Sequence, residues 1–422
     1  MNTYTFSKYI NGFQLANMND AQLFSFKDDD KKTQTDEIQI ADQNVALYIN
    51  EFWTAKQRQA SALHEISYRA CFKPQLPEFF IKQLSKPKDI IYDPFSGRGT
   101  TVIQAGLMDR KIISNDINPL SRILAEPRFK IPLMQEIKNR LDSIPFNQSE
   151  KAKIDLSMFY DSRTESEIVS LKNYLIQRKK TGKEDYIDKW IRMVATNRLT
   201  GHSKNFFSIY TLPPNQAITP ERQTKINKIL KQQPKYKNVK QIILIKSGQI
   251  ISKIFPQVKK QLFDISQSAI FLENDARSTY AIPNSAIQLT VTSPPFLDIV
   301  QYAKDNWLRC WFNDIDAEKV EKNITMSRKV EDWSKVMSDV FMELFRVTKK
   351  NGWVVFEVGE VKNGKINLDE YVVPLGKKAG FSCLGIIINK QNFTKTSNIW
   401  GVKNNTRGTN SNRIVVFNKK YE

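Results

Sequence analysis

Short apolar runs alternate with segments of helical spacing along this 422-residue chain. Glycine, proline or a carboxylate bounds the runs, as is typical of buried strands. The predicted strands cover residues 90–92, 111–116, 269–275, 287–291 and 352–356. The segment from Thr100 to Met108 has helical spacing and lies between the first two strands. This order predicts the opening of a doubly wound α/β sheet, in which ligands bind at the carboxyl ends of the strands.

Three regions fall outside this alternation. From about residue 129 to residue 262 the chain is mostly helical and strongly basic, which predicts an insertion after the second strand. Residues 386–388 and 414–417 predict a terminal antiparallel pair of strands. The beginning of the chain is polar, and from Val45 its apolar residues predict an amphipathic helix. The apolar face of that helix would carry Leu47, Tyr48, Phe52 and Trp53.

Four parts are therefore expected. Residues 1–60 form an N-terminal helical and extended segment, and residues 61–128 form the first part of the sheet domain. Residues 129–265 form the helical basic insertion, and residues 266–422 complete the sheet domain. The predicted fold class is thus an α/β sheet with a largely helical insertion.

The loop after the first predicted strand has the features of a nucleoside-binding turn. It reads Asp93-Pro94-Phe95-Ser96-Gly97-Arg98-Gly99-Thr100. Its two glycines allow positive φ angles and a close approach of a ligand, and the helix that follows offers free backbone amides. The dinucleotide pattern GxGxxG is incomplete, and no GKS or GKT follows, which excludes a P-loop. A tight turn without a ligand is the other interpretation.

Carboxylates follow the next two predicted strands. Asp116 ends the second strand, where it is well placed to bridge two ribose hydroxyls. Asp275 ends the third strand, where it is positioned to accept from an adenine amine. Asp93 can accept from an amino group of a ligand bound in this turn, directly or through water.

A second loop, Thr292-Ser293-Pro294-Pro295-Phe296, follows the strand at 287–291. The hydroxyl of Ser293 and the carbonyl of Pro294 are candidate acceptors for the hydrogens of an amine. The two prolines stiffen the loop. Phe296 offers a face on which a flipped base can stack. A proline-rich turn without chemistry is the alternative.

Together the two loops resemble the cofactor and catalytic loops of the amino-directed DNA methyltransferases. That family transfers a methyl group from S-adenosyl-L-methionine to the exocyclic amine of cytosine or adenine. The resemblance implies a Rossmann-like S-adenosylmethionine-dependent methyltransferase sheet, a double-stranded DNA substrate, base flipping and direct in-line transfer. It implies catalytic roles for Ser293, Pro294, Pro295 and Phe296.

The resemblance also implies a cofactor site with contributions from the segment before the first loop and from both loops. Its expected members are Phe72, Lys73, Asp93, Pro94, Phe95, Ser96, Gly97, Gly99, Thr100, Asp116, Ile117, Asp275, Ala276 and Thr292. Phe356 to Gly359 resemble the strand behind the active site, and Asn404 to Asn410 resemble a polar loop near the target base. The order of the loops resembles the alpha arrangement of the family, in which the recognition region lies between them.

Ser293 favours cytosine N4 as the target, because adenine-N6 enzymes of the family usually carry aspartate or asparagine there. Phe296 stands where tyrosine is more common, which keeps stacking and loses a hydroxyl. Adenine N6 remains an alternative target, and an RNA amino-methyltransferase is a further alternative. A non-catalytic nucleic-acid-binding protein of the same fold is disfavoured by the intact motifs. Cytosine-C5 methylation fits poorly, because none of the three cysteines follows a proline.

Net charge supports a polyanionic partner. The chain has 64 lysines and arginines against 44 acids, a formal charge of +20. Between residues 221 and 260 a single acid, Glu221, stands among many basic residues, which favours phosphate contact over a solvated helix face. The DNA-binding candidates are Arg198, His202, Lys225, Lys228, Lys235, Lys237, Arg407 and Asn410. The neighbouring Trp190, Arg192, Asn197, Phe206, Phe207 and Tyr210 serve either in base readout or, for the aromatics, in the core.

Other classes are disfavoured. The chain shows neither an apolar run long enough to span a membrane nor a signal-peptide pattern. Two histidines and three scattered cysteines predict no metal site and no disulfide framework. We therefore expect a cytoplasmic, nucleoid-associated protein of bacterial or phage origin, with a cognate restriction endonuclease as a candidate partner.

Overall fold

The computed structural model of the chain describes most of its residues. The described ranges are 3–13, 32–41, 43–53, 60–69, 71–211, 217–295, 302–324, 327, 329–361, 366–390 and 411–420.

Helices surround a large sheet. The helices are α1 Thr3–Asn11, α2 Gln75–Leu84, α3 Thr100–Leu107, α4 Leu120–Ala125, α5 Met134–Ser143, α6 Ser162–Lys180, α7 Tyr186–Thr196, α8 Pro220–Ile229, α9 Val239–Ile251, α10 Pro256–Ser266, α11 Tyr302–Phe312, α12 Ala317–Asn323, α13 Val330–Val347 and α14 Leu368–Lys378. The strands are β1 Gln34–Ile40, β2 Gln43–Asn50, β3 Ile90–Asp93, β4 Lys111–Asn115, β5 Ile270–Leu272, β6 Ile287–Thr292, β7 Thr348–Val358, β8 Glu360–Val361, β9 Ile366–Asn367, β10 Ser382–Lys390 and β11 Ser411–Asn418.

Within the described residues, nine strands form one mixed sheet in the order β1-β2-β10-β11-β7-β6-β3-β4-β5. The strands from β7 to β5 pair in parallel. Strand β11 is antiparallel to both of its neighbours, β7 and β10, which confirms the predicted terminal pair. Helices cover both faces of the sheet, so the α/β Rossmann-like class is also confirmed.

The chain changes direction across the sheet at β3. The next strand in sequence, β4, pairs on one side of β3, whereas β6 pairs on the other side. Such a switch point opens a crevice at the carboxyl ends of the two central strands. The two loops singled out in the sequence follow β3 and β6, so the topology brings them to this crevice.

One predicted element is wrong. Residues from Val45 form strand β2 rather than an amphipathic helix. Val45 and Leu47 pack in the core on one face of the sheet, whereas Tyr48 packs on the other face. A period of two therefore accounts for the apolar residues. Ala41, with a φ of 45°, lies in the turn between β1 and β2, and β2 continues the sheet by parallel pairing with β10.

Two apolar layers hold the sheet. Phe80, Val102 and Phe129 belong to the layer that contains α2, α3 and the start of the insertion. Trp333, Phe341 and other residues of α13 and α14 belong to the layer on the opposite face. The basic insertion shares the first layer, because Trp190 of α7 and Ile243 of α9 are fully buried there.

Membrane and metal features are missing from the described ranges. No helix within them is long and apolar enough to cross a bilayer. The same ranges contain no cluster of three or more histidine, cysteine or acidic side chains that could hold a metal ion.

The same substitution in two helices is expected to change stability in opposite directions. A Cβ at Gly376 of α14 would overlap the Phe417 ring, whereas a Cβ at Gly248 of α9 would meet only Met134 Cε, at 3.9 Å. Gly376→Ala should lower the free energy of unfolding by about 1–3 kcal/mol, because the core there is overpacked. Gly248→Ala should raise it by up to about 1 kcal/mol through helix propensity. Urea denaturation of both variants checks this, and equal effects would contradict it.

Candidate active site at the switch point

A cavity of about 250 Å³ lies at the carboxyl ends of the central strands. Residues from the segment before β3, from both loops and from helix α13 line it. Eleven of the predicted site residues are in its wall: Phe72, Pro94, Phe95, Gly97, Asp116, Ile117, Asp275, Ala276, Ser293, Pro294 and Pro295. The fold therefore brings candidate cofactor and catalytic residues to one enclosed space.

The two glycines of the first loop have different functions. Both have positive φ angles, 52° at Gly97 and 80° at Gly99. A Cβ on Gly99 would lie 2.8 Å from the Cβ of Ala125, so close packing against α4 requires glycine there. A Cβ on Gly97 would have Tyr68 Cε1, 3.7 Å away, as its nearest neighbour, and Gly97 lines the cavity. Gly97 therefore keeps the near wall open.

Asp116 is fixed at the edge of the cavity. Its carboxylate accepts hydrogen bonds from the backbone N–H groups of Gly97, at 2.8 Å, and Asn118, at 2.9 Å. Burial raises the pKa of Asp116 to about 6, and the two backbone donors partly offset that rise. The carboxylate retains acceptor capacity towards the cavity, as two vicinal hydroxyls would require.

Asp93 differs from its expected role. It does not line the cavity; instead its Oδ1 accepts from Thr292 Oγ1 at 2.7 Å and from the Phe95 N–H at 3.1 Å. Burial raises the pKa of Asp93 to about 7. The side chain thus ties the first loop to the second rather than facing a ligand. Five more predicted residues also lie outside the cavity wall: Lys73, Ser96, Gly99, Thr100 and Thr292.

Asp275 lines the cavity from the third strand end, as expected. Its carboxylate also forms an ion pair with Arg277, with Oδ2 2.6 Å from Nη2. The bond from Arg277 holds the pKa of Asp275 below its usual value. The carboxylate is therefore ionised at neutral pH and able to accept from an amine.

Arg98, which the sequence did not single out, fastens the segment before β3 over the cavity. Its guanidinium donates to the Ile66 carbonyl at 2.8 Å and to the Phe72 carbonyl at 3.4 Å. Tyr68, Cys71 and Phe72 of this segment line the cavity. Only the tertiary contact shows this role, because arginine at a loop position is otherwise a common surface residue.

A buried glutamate faces the second loop. Glu357 of β7 lines the cavity and is 8% exposed. Burial raises its pKa, while hydrogen bonds from Ser293 and Asn412 oppose that rise, and the Asn412 amide lies 2.8 Å from Oε1. The sequence carried a signal for this residue, an acid within the apolar run Trp353 to Val358, which we assigned only to the strand behind the site.

Three predicted site residues, Phe296, Arg407 and Asn410, lie outside the described residues.

The insertion contains both exposed and internally engaged basic residues. Lys225, Lys228, Lys235 and His202 are exposed. Lys237 Nζ instead donates to the carbonyl of Phe206 at 2.9 Å and also to that of Ser208. These contacts favour a structural role for Lys237 over phosphate binding.

Arg198 is also engaged internally. It is 8% exposed, and its guanidinium lies 3.9 Å from the centroid of the Phe206 ring. Of the residues left open between readout and core, Trp190, Arg192, Asn197, Phe206 and Phe207 are buried. Lys246 and Lys253 both pair with Glu65, so part of the positive charge of the insertion serves packing.

Comparison with known proteins supports the sequence motifs. Residues 6–124 match the model of a family described as DNA methylase, the N6- and N4-directed amino-methyltransferases. Over these residues the chain is similar to the amino-directed DNA methylases. The match includes the first loop, whose resemblance is thereby confirmed at the level of this family, and the N4-cytosine subgroup stays a prediction.

The matches to type II methyltransferases are local. A type II methyltransferase of Methanocaldococcus jannaschii, M.MjaII, is 39% identical over 74 residues, which are 18% of this chain and 14% of that protein. The type II methyltransferase M.PvuII of Proteus hauseri is 42% identical over 53 residues, 13% of this chain and 16% of that protein. The chain thus matches about a seventh of the length of these relatives.

Likeness to solved structures is weak. The rRNA methyltransferase AviRa of Streptomyces viridochromogenes aligns with 85% of this chain and 90% of its own, at 9% identity and a TM-score of 0.33. At this TM-score the likeness carries no argument.

The pKa of Asp93 predicts a pH dependence of stability. Its ordinary value is about 4, and in the fold it is about 7. Burial favours the neutral carboxyl. The contribution of Asp93 to the free energy of unfolding is therefore fully present below pH 4 and is lost as the pH rises through 7. Asp93→Asn should abolish that loss, up to about 4 kcal/mol, and its unfolding free energy relative to wild type should rise between pH 4 and 7.5.

Asp275→Asn is the matched control, because the pKa of Asp275 is lowered. The advantage of the ionised Asp275 is present above pH 4 and lost in acid, so this variant should show the opposite trend. Denaturation at a series of pH values measures both variants. Parallel curves for wild type and Asp93→Asn would contradict the assignment.

Proposed function

We propose that the chain is an S-adenosylmethionine-dependent DNA methyltransferase that methylates the exocyclic N4 amine of cytosine. The observation that carries the proposal is the shared cavity, whose wall contains Gly97 and Asp116 together with Ser293 and Pro294. A methyl donor and an amine acceptor must meet within such a space for direct transfer. The family match over residues 6–124 and the basic insertion support DNA as the substrate.

The residues present fit S-adenosyl-L-methionine. Gly97 leaves space beside the backbone, the Asp116 carboxylate suits ribose hydroxyls, and Asp275 suits an adenine amine. Phe72 and Ile117 supply apolar wall. When bound, this cofactor supplies an electrophilic methyl group on sulfonium.

Ser293 is arranged as an acceptor. Its hydroxyl shares the cavity wall with the Glu357 carboxylate, and its influence opposes the rise in the pKa of Glu357, as expected of a hydroxyl that directs its hydrogen towards a carboxylate. The lone pairs of Ser293 Oγ are then available to accept the hydrogens of an amine. A substrate carbonyl has no hydrogen to donate and would not bind in this way. Among the described residues no donor reaches the carbonyl of Pro294, so this second acceptor is available as well.

These acceptors orient the amine rather than activate it strongly. Two hydrogen bonds to the amine direct its nitrogen lone pair towards the methyl group, and the enclosed wall excludes water from the reacting atoms. After transfer the amine loses a proton. Ser293 Oγ is in contact with Glu357, whose raised pKa suits it to receive that proton through the hydroxyl.

Cytosine is proposed over adenine because position 293 is a serine. The carboxylate or amide of the adenine-N6 enzymes is replaced here by a hydroxyl that depends on Glu357 for its orientation. The proposal includes base flipping, because Ser293 is half-buried in the cavity wall and an amine stacked within a duplex is not accessible to it. Adenine N6 remains the alternative target.

Nucleoside mass spectrometry of plasmid DNA incubated with the protein and S-adenosylmethionine tests the proposal. We expect N4-methylcytosine from the wild type. Ser293→Ala should reduce turnover about 100-fold or more, as loss of one positioned group does in other enzymes, with cofactor affinity retained. Gly97→Trp should abolish cofactor binding, because the indole would fill the cavity.

Each other outcome is informative. N6-methyladenine would assign the alternative target and contradict the argument from serine. Label transferred to tRNA and not to DNA would move the protein to the RNA class. Full turnover by Ser293→Ala would contradict the proposed amine contact.

Exposed lysines of α8 predict a salt-dependent component of DNA affinity. Lys225 and Lys228 are one helical turn apart and exposed. If both contact phosphates, Lys225→Ala with Lys228→Ala should reduce the slope of log affinity against log salt by about 2. Fluorescence anisotropy with duplexes of different sequence measures the slope, which should change equally for all of them.

Lys111→Ala is the control. Lys111 is exposed at the amino end of β4, whereas the cavity lies at the carboxyl ends of the strands. It should leave the slope unchanged. An unchanged slope in the α8 variant as well would show that these lysines form an ordinary solvated face.

A further inference from the structure

Trp333 of α13 contacts the second loop. Its indole is fully buried, and Nε1 donates to the carbonyl of Pro295 at 2.9 Å. A buried indole N–H generally has a hydrogen-bond partner. Here the partner is a backbone carbonyl of the second loop. The contact therefore concerns the position of the loop as well as the packing of the core.

The loop has few other means of being held. Pro294 and Pro295 have no backbone N–H, so neither can donate to the surrounding structure. Ser293 is held through its side chain by Glu357. Thr292, at the start of the loop, is held by its bond to Asp93. Further along, with the Pro294 carbonyl required for the substrate amine, the Pro295 carbonyl is available for an anchor. Trp333 takes it.

The helix that carries this anchor also forms part of the cavity wall. Val336, Met337 and Val340 of α13 line the cavity. Together with Trp333 they are spaced by three, four and seven residues, which places them on one face of the helix. A single rigid helix thus contacts both the catalytic loop and the cofactor cavity, and it fixes the distance between them.

We propose that Trp333 is a positioning residue that sets the catalytic loop, through the Pro295 carbonyl, at the distance from the cofactor that methyl transfer requires. The proposal rests on the proposed methyltransferase function. Trp333 itself is not part of the cavity wall. Its effect appears in turnover, because in-line transfer is sensitive to displacements of about 1 Å.

Trp333→Phe removes the N–H and keeps an aromatic ring in the core. Trp353→Phe is the matched control: Trp353 is also buried, and its Nε1 has no hydrogen-bond partner among the described residues. Both variants lose the same volume, and only the first loses an anchor of the loop. Each is compared with wild type for kcat and for S-adenosylmethionine affinity by calorimetry.

We expect kcat to fall about tenfold or more in Trp333→Phe, with cofactor affinity unchanged within about twofold. Trp353→Phe should keep kcat close to the wild-type value. Equal kcat in wild type and Trp333→Phe would overturn the proposal. Equal losses in the two variants, or a loss of cofactor affinity that parallels kcat, would overturn it too, because they indicate a packing effect.

If Trp333→Phe does not fold, replacement of the Trp333 indole by benzothiophene decides the matter. This side chain keeps the shape of the indole and lacks the N–H, so the same tenfold loss of kcat is expected. The activity of the wild-type protein separates a failure of the proposed function from a failure of the proposed role of Trp333. Absence of methyl transfer by the wild type contradicts the proposed function, whereas methyl transfer that is insensitive to the N–H contradicts the role of Trp333.

Discussion

The pairing of β3 with β6 is the constraint on which the site depends. These strands are far apart in sequence, yet Ile91 pairs with Leu289 and Tyr92 with Thr290. Two side-chain hydrogen bonds continue the connection, from Thr292 Oγ1 to Asp93 and from Thr101 Oγ1 to the Val291 carbonyl. Parallel pairing makes both following loops leave the sheet at the same edge. Without it the two loops would not share one cavity.

Around this centre the charged groups fall into two classes. Two carboxylates at the cavity, Asp116 and Glu357, form the first class, since burial raises the pKa of Asp116 to about 6 and also raises that of Glu357. They are held by backbone N–H groups and by Ser293 and Asn412, which makes them fixed acceptors. Several basic residues of the insertion form the second class, exposed and available to a polyanion. The desolvated carboxylates hold fixed positions at the cavity. Exposed cations instead attract a polyanion, and salt weakens that attraction.

Much of the central sheet could be predicted because its strands are nearly continuous apolar runs ended by polar loop residues. The strands β3, β4, β6 and β7 appear where the sequence placed them, and so does helix α3. The prediction failed at β2, where alternating and helical spacing are hard to tell apart over eight residues, and the pairing with β10 decided the outcome. For Asp93 the sequence predicts a carboxylate at the end of β3 but not the direction of its side chain. The hydrogen bond from Thr292 determines that direction.

By itself the sequence determined the two loops, their order and the chemistry that their residue types allow, because glycines, carboxylates and prolines act locally. It also determined the excess of positive charge. Only the tertiary structure decided which side chains meet: Glu357 on Ser293, Trp333 on Pro295 and Arg98 on the segment above the cavity. These contacts join residues distant in sequence, and they depend on strand order and helix packing, which no local pattern encodes.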